Sequence, residues 1–274
     1  MEKKATAKDV AREAGVSVAT VSYVLNNKTG QKISEATRKK VLQIANLLNY
    51  RPSHEAVSLA TGKNNMIGLL YHLRDDSPSR NLEIMHMVNL LVERFSRMNY
   101  SCIIIPFDRE AAAKAPNRML DGIIAIDIPQ KDFREMADNC YVPIICMDMI
   151  VNDFLFYQIY TDFPALVKEA LAGSQDSSCC YIVTDRYDNE DYNRFLCSCL
   201  PEGHVIFTDT DKKTLSSLKD KRILVNGSYL GQLLESHVKA EPIHTDYEKK
   251  ANLAMNIMLN AFEQKFDIKH DFKI

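Results

Sequence analysis

Tryptophan is absent from the 274 residues, and glycine and proline number only nine each. So few chain-breakers exclude collagen-like repeats and low-complexity stalks. No apolar run approaches the ~18 residues of a membrane-spanning helix, so no membrane partner is expected. The opening Met1-Glu2-Lys3-Lys4-Ala5-Thr6 leads into a mixed, charged segment, without the apolar stretch of a signal peptide. Seven cysteines form no C-x2-C pairs; they include Cys179-Cys180 and Cys197-Ser198-Cys199. That pattern argues against a disulfide framework or a zinc site, and it suits a reducing cytoplasm. G-x-S-x-G, H-E-x-x-H and P-loop phrases are missing, and seven histidines are scattered without ligand spacing. The expectation is no enzyme, no metal and no cofactor.

What is present is an ordinary globular composition with a polarised charge. Through Lys63 there are 11 Lys+Arg against 5 Asp+Glu, an excess of +6. The remainder holds 23 against 31, or −8, and the two sum to the net −2. A basic head on an acidic body suits a negatively charged partner for the head.

The head reads as three helices. Thr6 is placed to cap Ala7–Ala14, Asp9 suits its first turn, and Gly15 ends it. Ser17 is placed to cap a second helix, Val18–Leu25. A third starts after Ser34, with Val41, Ile44, Ala45 and Leu48 recurring at i, i+3, i+4 and i+7, and ends before Tyr50-Arg51-Pro52. Two short helices about a Gly turn, followed by a third with an apolar stripe, make a helix-turn-helix. On the second helix, Val21, Val24 and Leu25 suit the module's core. That leaves Ser17, Val18, Ala19, Thr20, Ser22 and Tyr23 outward, and their small or hydrogen-bonding side chains suit a major groove.

These phrases carry a resemblance. Asp9-Val10-Ala11, Ala14-Gly15-Val16-Ser17, Thr20-Val21-Ser22, Leu25-Asn26, Thr37-Arg38 and Tyr50-x-Pro52 stand in the order and near the spacing of the LacI/GalR family of bacterial transcription regulators. The resemblance implies that Val18, Ala19 and Tyr23 read base edges. Thr6, Ser17, Thr20, Ser22 and Asn26 would then hold phosphates and set register. It also implies a hinge helix after Pro52, in which Leu59 wedges into the minor groove at the operator centre. Ser53, His54 and Val57 would accompany Leu59. Val57 stands where the family often has Arg, and Ser53 where it usually has Asn.

In the body, strand-like runs alternate with helical patterns. The runs are Met66–Tyr71, Cys102–Pro106, Gly122–Ile126, Val142–Met147, Gln158–Thr161, Cys180–Val183, His204–Phe207 and Arg222–Val225. Helical stretches lie between them, including Leu230–Val238 and Tyr247–Phe262. Alternating β and α predicts parallel sheets with helices on both faces. The fold class expected is α/β: an N-terminal all-α helix-turn-helix head over residues 1–50, a hinge and linker over 51–65, and a two-lobed body over 66–274. That body is expected to resemble periplasmic sugar-binding proteins.

Within the body, Asp121-Gly122-Ile123-Ile124 and Pro143–Asp148 match family phrases, and the likeness then fades. The Arg by which relatives grip an effector aligns loosely with Tyr192, and the stretch carrying another effector-binding Asp is missing. Tyr71, Asp148, Tyr160, Asp162 and Tyr192 are the residues expected near an effector cleft; the alternative is that they are strand-end residues with no ligand.

The resemblance thus implies a cytoplasmic, nucleoid-associated regulator, most simply a repressor. It would bind pseudo-palindromic double-stranded operator DNA as a homodimer, its affinity modulated by a small-molecule effector, sugar-like or otherwise. The alternative is a ligand-blind or protein-regulated DNA binder with a degenerate cleft. No heptad pattern in Phe266–Ile274 supports a tetramer.

Overall fold

A computed structural model describes residues 5–25, 32–50, 63–107, 119–171, 180–209, 218, 221–234, 240–265 and 269–274. The chain divides into two compact units, Met1–Asn64 and Asn65–Ile274.

The first unit holds α1 (Ala7–Ala14), α2 (Val18–Leu25) and α3 (Glu35–Leu47). Thr6 caps α1 through a full capping box: its hydroxyl accepts from the Asp9 amide, and the Asp9 carboxylate accepts from the Thr6 amide at 2.9 Å. Gly15 closes α1 in the left-handed conformation at φ 68°, which few side chains tolerate. Ser17 Oγ accepts from the Thr20 amide at 3.1 Å, and Ser34 Oγ from the Thr37 amide at 3.2 Å, starting α2 and α3. Val10, Ala11, Ala14, Val21, Val24, Val41 and Ala45 make the core between the three helices, with Leu25, Ile44 and Leu48 half-buried beside them.

The second unit carries two parallel sheets. Its elements are β1 (Met66–Tyr71), α4 (Pro78–Arg97), β2 (Ser101–Pro106), β3 (Gly122–Ile126), α5 (Gln130–Ala137), β4 (Ile144–Met147), β5 (Tyr157–Tyr160), α6 (Phe163–Leu171), β6 (Cys180–Thr184), α7 (Glu190–Cys197), β7 (Val205–Phe207), β8 (Arg222–Asn226), α8 (Ser228–Leu234), β9 (Ala240–Ile243), α9 (Tyr247–Phe262) and β10 (Asp271–Lys273). The first sheet runs β10-β5-β4-β3-β1-β2 and the second β7-β6-β8-β9. The chain passes to the second sheet after β5 and returns to the first after β9. The two crossings meet where Thr161 Oγ1 lies 3.4 Å from Thr245 Oγ1.

The inner strands of the first sheet, β1, β3, β4 and β5, are buried on both faces, which is why they read as largely apolar runs. Ile67, Leu69, Ile124, Ile126, Ile145 and Met147 pack under α4 and α9. Their neighbours Leu70, Ile123, Ala125, Ile144 and Cys146 face the other way, against Phe133 and Met136 of α5. Among the described residues, no helix is long and apolar enough to cross a membrane.

Three details depart from the sequence reading. The helix expected over Leu230–Val238 begins two residues earlier, at Ser228, and is described as far as Leu234. The strands β9 and β10 were not anticipated. Both lie at sheet edges, where a short strand needs no apolar run and where Pro242, unable to donate to a ladder, is tolerated.

Candidate functional site

The outward face of α2 carries the expected residue types. Ser17, Val18, Ala19 and Ser22 are exposed, Thr20 and Tyr23 are half-buried, and Val21 and Val24 point into the core. Val18, apolar and 43% exposed, is placed to meet an apolar partner. Thr6 is exposed at the start of α1. Asn26, Ser53, His54, Val57 and Leu59 lie outside the described residues.

The second candidate site lies between the lobes of the body. Parallel strands of both sheets end there, each followed by a polar residue: Asp127 after β3, Asp148 after β4, Asp185 after β6, and Asn226 closing β8. In α/β proteins, the crevice at such strand ends is where ligands bind. Asp127 (φ 52°) and Asp148 (φ 50°) both adopt the left-handed conformation, which a short polar side chain tolerates.

These carboxylates surround two buried cations. Arg80, in the first turn of α4, donates through Nε to Asp127 at 3.1 Å, through Nη1 to Glu83 at 3.3 Å, and through Nη2 to Asp148 at 3.5 Å. Its guanidinium lies over the Tyr187 ring, 4.1 Å from the centroid. Lys250 of α9 donates to the other oxygen of Asp148. Arg80, Glu83, Asp127, Asp148, Asp185 and Lys250 are each at most 5% exposed. Burial of this depth demands pairing, because an isolated ion in a low-dielectric interior is costly.

The pairing is uneven. Burial favours the neutral form of Asp148, but Lys250 and Arg80 outweigh it and hold the carboxyl below its usual range. Glu83 is pushed up to about 7, chiefly by burial, against the pull of Arg80. Burial likewise pushes Asp127 up to about 6. Glu83 Oε1 is buried and has no hydrogen-bond partner among the described residues.

Direct hydrogen bonds join the lobes around this cluster. Ser79 donates to Asp185. The Asn189 amide donates to Asp127 at 3.1 Å, its Nδ2 donates to the Ile128 carbonyl at 3.2 Å, and its Oδ1 accepts from the Ile150 amide at 3.1 Å. Asn189 also caps α7, accepting from the Tyr192 amide, so one side chain sets a helix start and the lobe contact together. At the half-exposed rim, Asp188 pairs with Arg74 at 3.3 Å and His72 at 3.0 Å.

Of the five residues expected near a cleft, Asp148 lies in the cluster. Tyr192 lies beside it, fully buried, its ring 4.6 Å from that of Tyr187 and its hydroxyl accepting from the Thr161 amide at 3.4 Å. Tyr160 packs edge-on against Tyr192 at 6.1 Å, one step removed. Asp162 accepts from the Ala165 amide at the start of α6, and Tyr71 packs against the core beneath α4. Arg80, Glu83, Asp127, Asp185, Asn189 and Lys250 join the site without having been expected from the sequence. A signal was there: Arg80 and Glu83 precede Ile84 and Met87 by four residues, and Lys250 precedes Ala254 by four. Charged residues therefore sit on the apolar stripes of α4 and α9.

Comparison with known proteins bears on both sites. Residues 6–53 match the family model described as bacterial regulatory proteins, lacI family. The chain is 35% identical over 153 residues to the HTH-type transcriptional repressor PurR of Vibrio vulnificus, covering 53% of this chain and 43% of that protein. It is 37% identical over 175 residues to the HTH-type transcriptional regulator RegA of Clostridium saccharobutylicum, covering 62% and 49%. The chain thus spans about half the length of these curated relatives. A crystal structure of the Lac repressor dimer bound to operator and the anti-inducer ONPF matches over 99% of this chain and 96% of that one, with a TM-score of 0.66 and 18% identity. That likeness extends the fold, though not the function, across the body.

Proposed function

We propose that this chain, whose head belongs to the LacI family of bacterial regulatory proteins, is a sequence-specific transcriptional regulator, most simply a repressor and not an enzyme. The observation that carries the reading is the match of residues 6–53 to the family model together with the capped helices α1, α2 and α3, the outer face of α2 being small and hydrogen-bonding. In this reading Val18, Ala19 and Tyr23 meet base edges, while Thr6, Ser17, Thr20, Ser22 and Asn26 hold phosphates. Ser53, His54, Val57 and Leu59 form the hinge, with Leu59 in the minor groove.

The protein acts in the cytoplasm as a homodimer, one head on each half of a pseudo-palindrome. A small-molecule effector between the lobes of the body changes their relation and so changes operator affinity. The effector site in this reading includes Asp148 and Tyr192, with Tyr160, Tyr71 and Asp162 farther out. A domain organisation of 1–50, 51–65 and 66–274 accompanies it. A second reading, a ligand-blind binder, is supported by the many direct bonds that already join the lobes.

Selection of binding sites from a random DNA pool tests the reading. Recovery of a two-fold-symmetric sequence, with half-sites about one helical turn apart, is the expected result. An unenriched pool, retained by charge alone, would remove the claim of sequence specificity.

A further inference from the structure

We propose that the inter-lobe site takes a small ligand bearing an ammonium or guanidinium group, seated against Glu83 beside Tyr187 and Tyr247. The inference deepens the effector-modulated reading and rests on it for any effect on DNA.

Four buried carboxylates, on Glu83, Asp127, Asp148 and Asp185, share two buried cations, Arg80 and Lys250. With all six ionised, two negative charges are left over in a site that excludes water. Such an excess requires bound protons or a further cation. The deficit is localised. Asp127 is bonded by Arg80 and the Asn189 amide, Asp148 by Arg80 and Lys250, and Asp185 by Ser79 and Thr208. Glu83 alone among them presents a carboxylate oxygen, Oε1, that is buried and has no hydrogen-bond partner among the described residues.

The surroundings specify the kind of cation. No group of three or more described His, Cys, Asp or Glu side chains is arranged to hold a metal ion. The site instead combines carboxylates with aromatic rings, the chemistry that recognises organic cations. The protein supplies its own example in Arg80, held by three carboxylates and the face of Tyr187. A neutral polyol would add no charge to the deficit.

Glycine at 227 is what gives the Glu83 carboxylate its place. Its φ of 107° suits glycine, and a Cβ there would collide with Glu83 Oε1. The carboxylate oxygen therefore lies against bare backbone at the end of β8. The titratable groups around Glu83 are Arg80 on its own helix, Asp185 and Tyr187 from the second lobe, Asp148 at the end of β4, and Lys250 and Tyr247 from α9. Because Glu83 titrates near 7, protons compete with the ligand. Ligand affinity should fall roughly tenfold between pH 8 and pH 6, in step with the ionised fraction.

Thermal denaturation of the full chain tests this, with putrescine and agmatine as the amine and guanidine probes. Ribose, glucose and adenine serve as uncharged controls, and sodium chloride matches the ionic strength. The result expected is a saturable rise in Tm at pH 8 with at least one charged probe, of about 5 °C or more at hundredfold excess over Kd. The rise should weaken at pH 6 and vanish in Glu83→Gln, whose far-UV circular dichroism matches the parent. Asp127→Asn, which leaves Glu83 in place, should retain part of it. A rise only with an uncharged compound, or one as large in Glu83→Gln, would overturn the cation site and leave the effector reading intact. No rise with either charged probe beyond the salt control would also overturn it. A charged probe that raises Tm without changing DNA affinity would uphold the site and overturn effector modulation.

Discussion

Replacing Glu83 by Gln should make the protein more stable at pH 8, although it removes an ion pair. Folding carries this carboxyl from its ordinary 4.5 to about 7, mainly through burial. At a pH above both values the ionised side chain costs the folded state about 3 kcal/mol. Glutamine abolishes that cost and weakens one bond to Arg80, which is itself worth about 1–2 kcal/mol. The net expectation is a gain of about 1–2 kcal/mol at pH 8. The sign reverses the usual acid behaviour of a carboxylate. Between about pH 5 and 7 the folded state holds a proton on Glu83 that the unfolded chain has released. Wild-type stability therefore falls as pH rises through that window, by about 1.4 kcal/mol per pH unit from this residue. In Glu83→Gln that slope should disappear, so the two proteins should be equally stable between about pH 5 and 6, with wild type the more stable below that. Urea denaturation at pH 5, 6, 7 and 8 reads this as a change in midpoint at constant m-value. A variant less stable than wild type at pH 8, or a difference independent of pH, would show that burial does not hold Glu83 above its ordinary range.

Four further outcomes follow. Arg80→Ala should destabilise by about 3–5 kcal/mol in urea, because it leaves Asp127, Glu83 and Asp148 facing one another with Lys250 alone; a loss under 1 kcal/mol would show that the cluster relaxes or hydrates freely. Gly227→Ala should cost about 1–3 kcal/mol, since φ 107° and the contact with Glu83 both oppose a side chain, and an unchanged midpoint would contradict that geometry. Thr6→Ala should cost the head about 1 kcal/mol by removing the capping box, measured as a lower melting temperature of the helical signal. Tyr23→Ala should weaken operator binding by about 1–3 kcal/mol and relax the preference at one base pair per half-site, whereas an equal loss on every sequence would make Tyr23 a phosphate contact.

The head was legible in the sequence because its signals are local. Thr6, Ser17 and Ser34 each cap the helix that follows within three residues, and Gly15 ends α1 where its left-handed φ requires glycine. The body's parallel sheets were legible for a similar reason: strands buried on both faces read as apolar runs. The inter-lobe site was hardly legible. Its residues come from α4, the ends of β3, β4, β6 and β8, and α9, so only the fold brings them together. Asp148 was found through a family phrase, while Asp127 and Asp185 occupy the same position on their strands without one. Arg80, Glu83 and Lys250 looked like ordinary helix charges until the phase of α4 and α9 placed them on the inward stripe. The edge strands β9 and β10 escaped because an edge needs neither length nor continuous apolarity.

The proposed function stands on recognition of a particular DNA sequence. Fluorescence anisotropy of the purified protein tests it most directly, with DNA from upstream of its own gene against scrambled DNA across a salt series. The account predicts saturable binding to the upstream fragment, with a preference of about 10³ or more that persists as salt rises. Equal binding to both DNAs, falling steeply with salt, would contradict it and leave only a basic head attracted to phosphate.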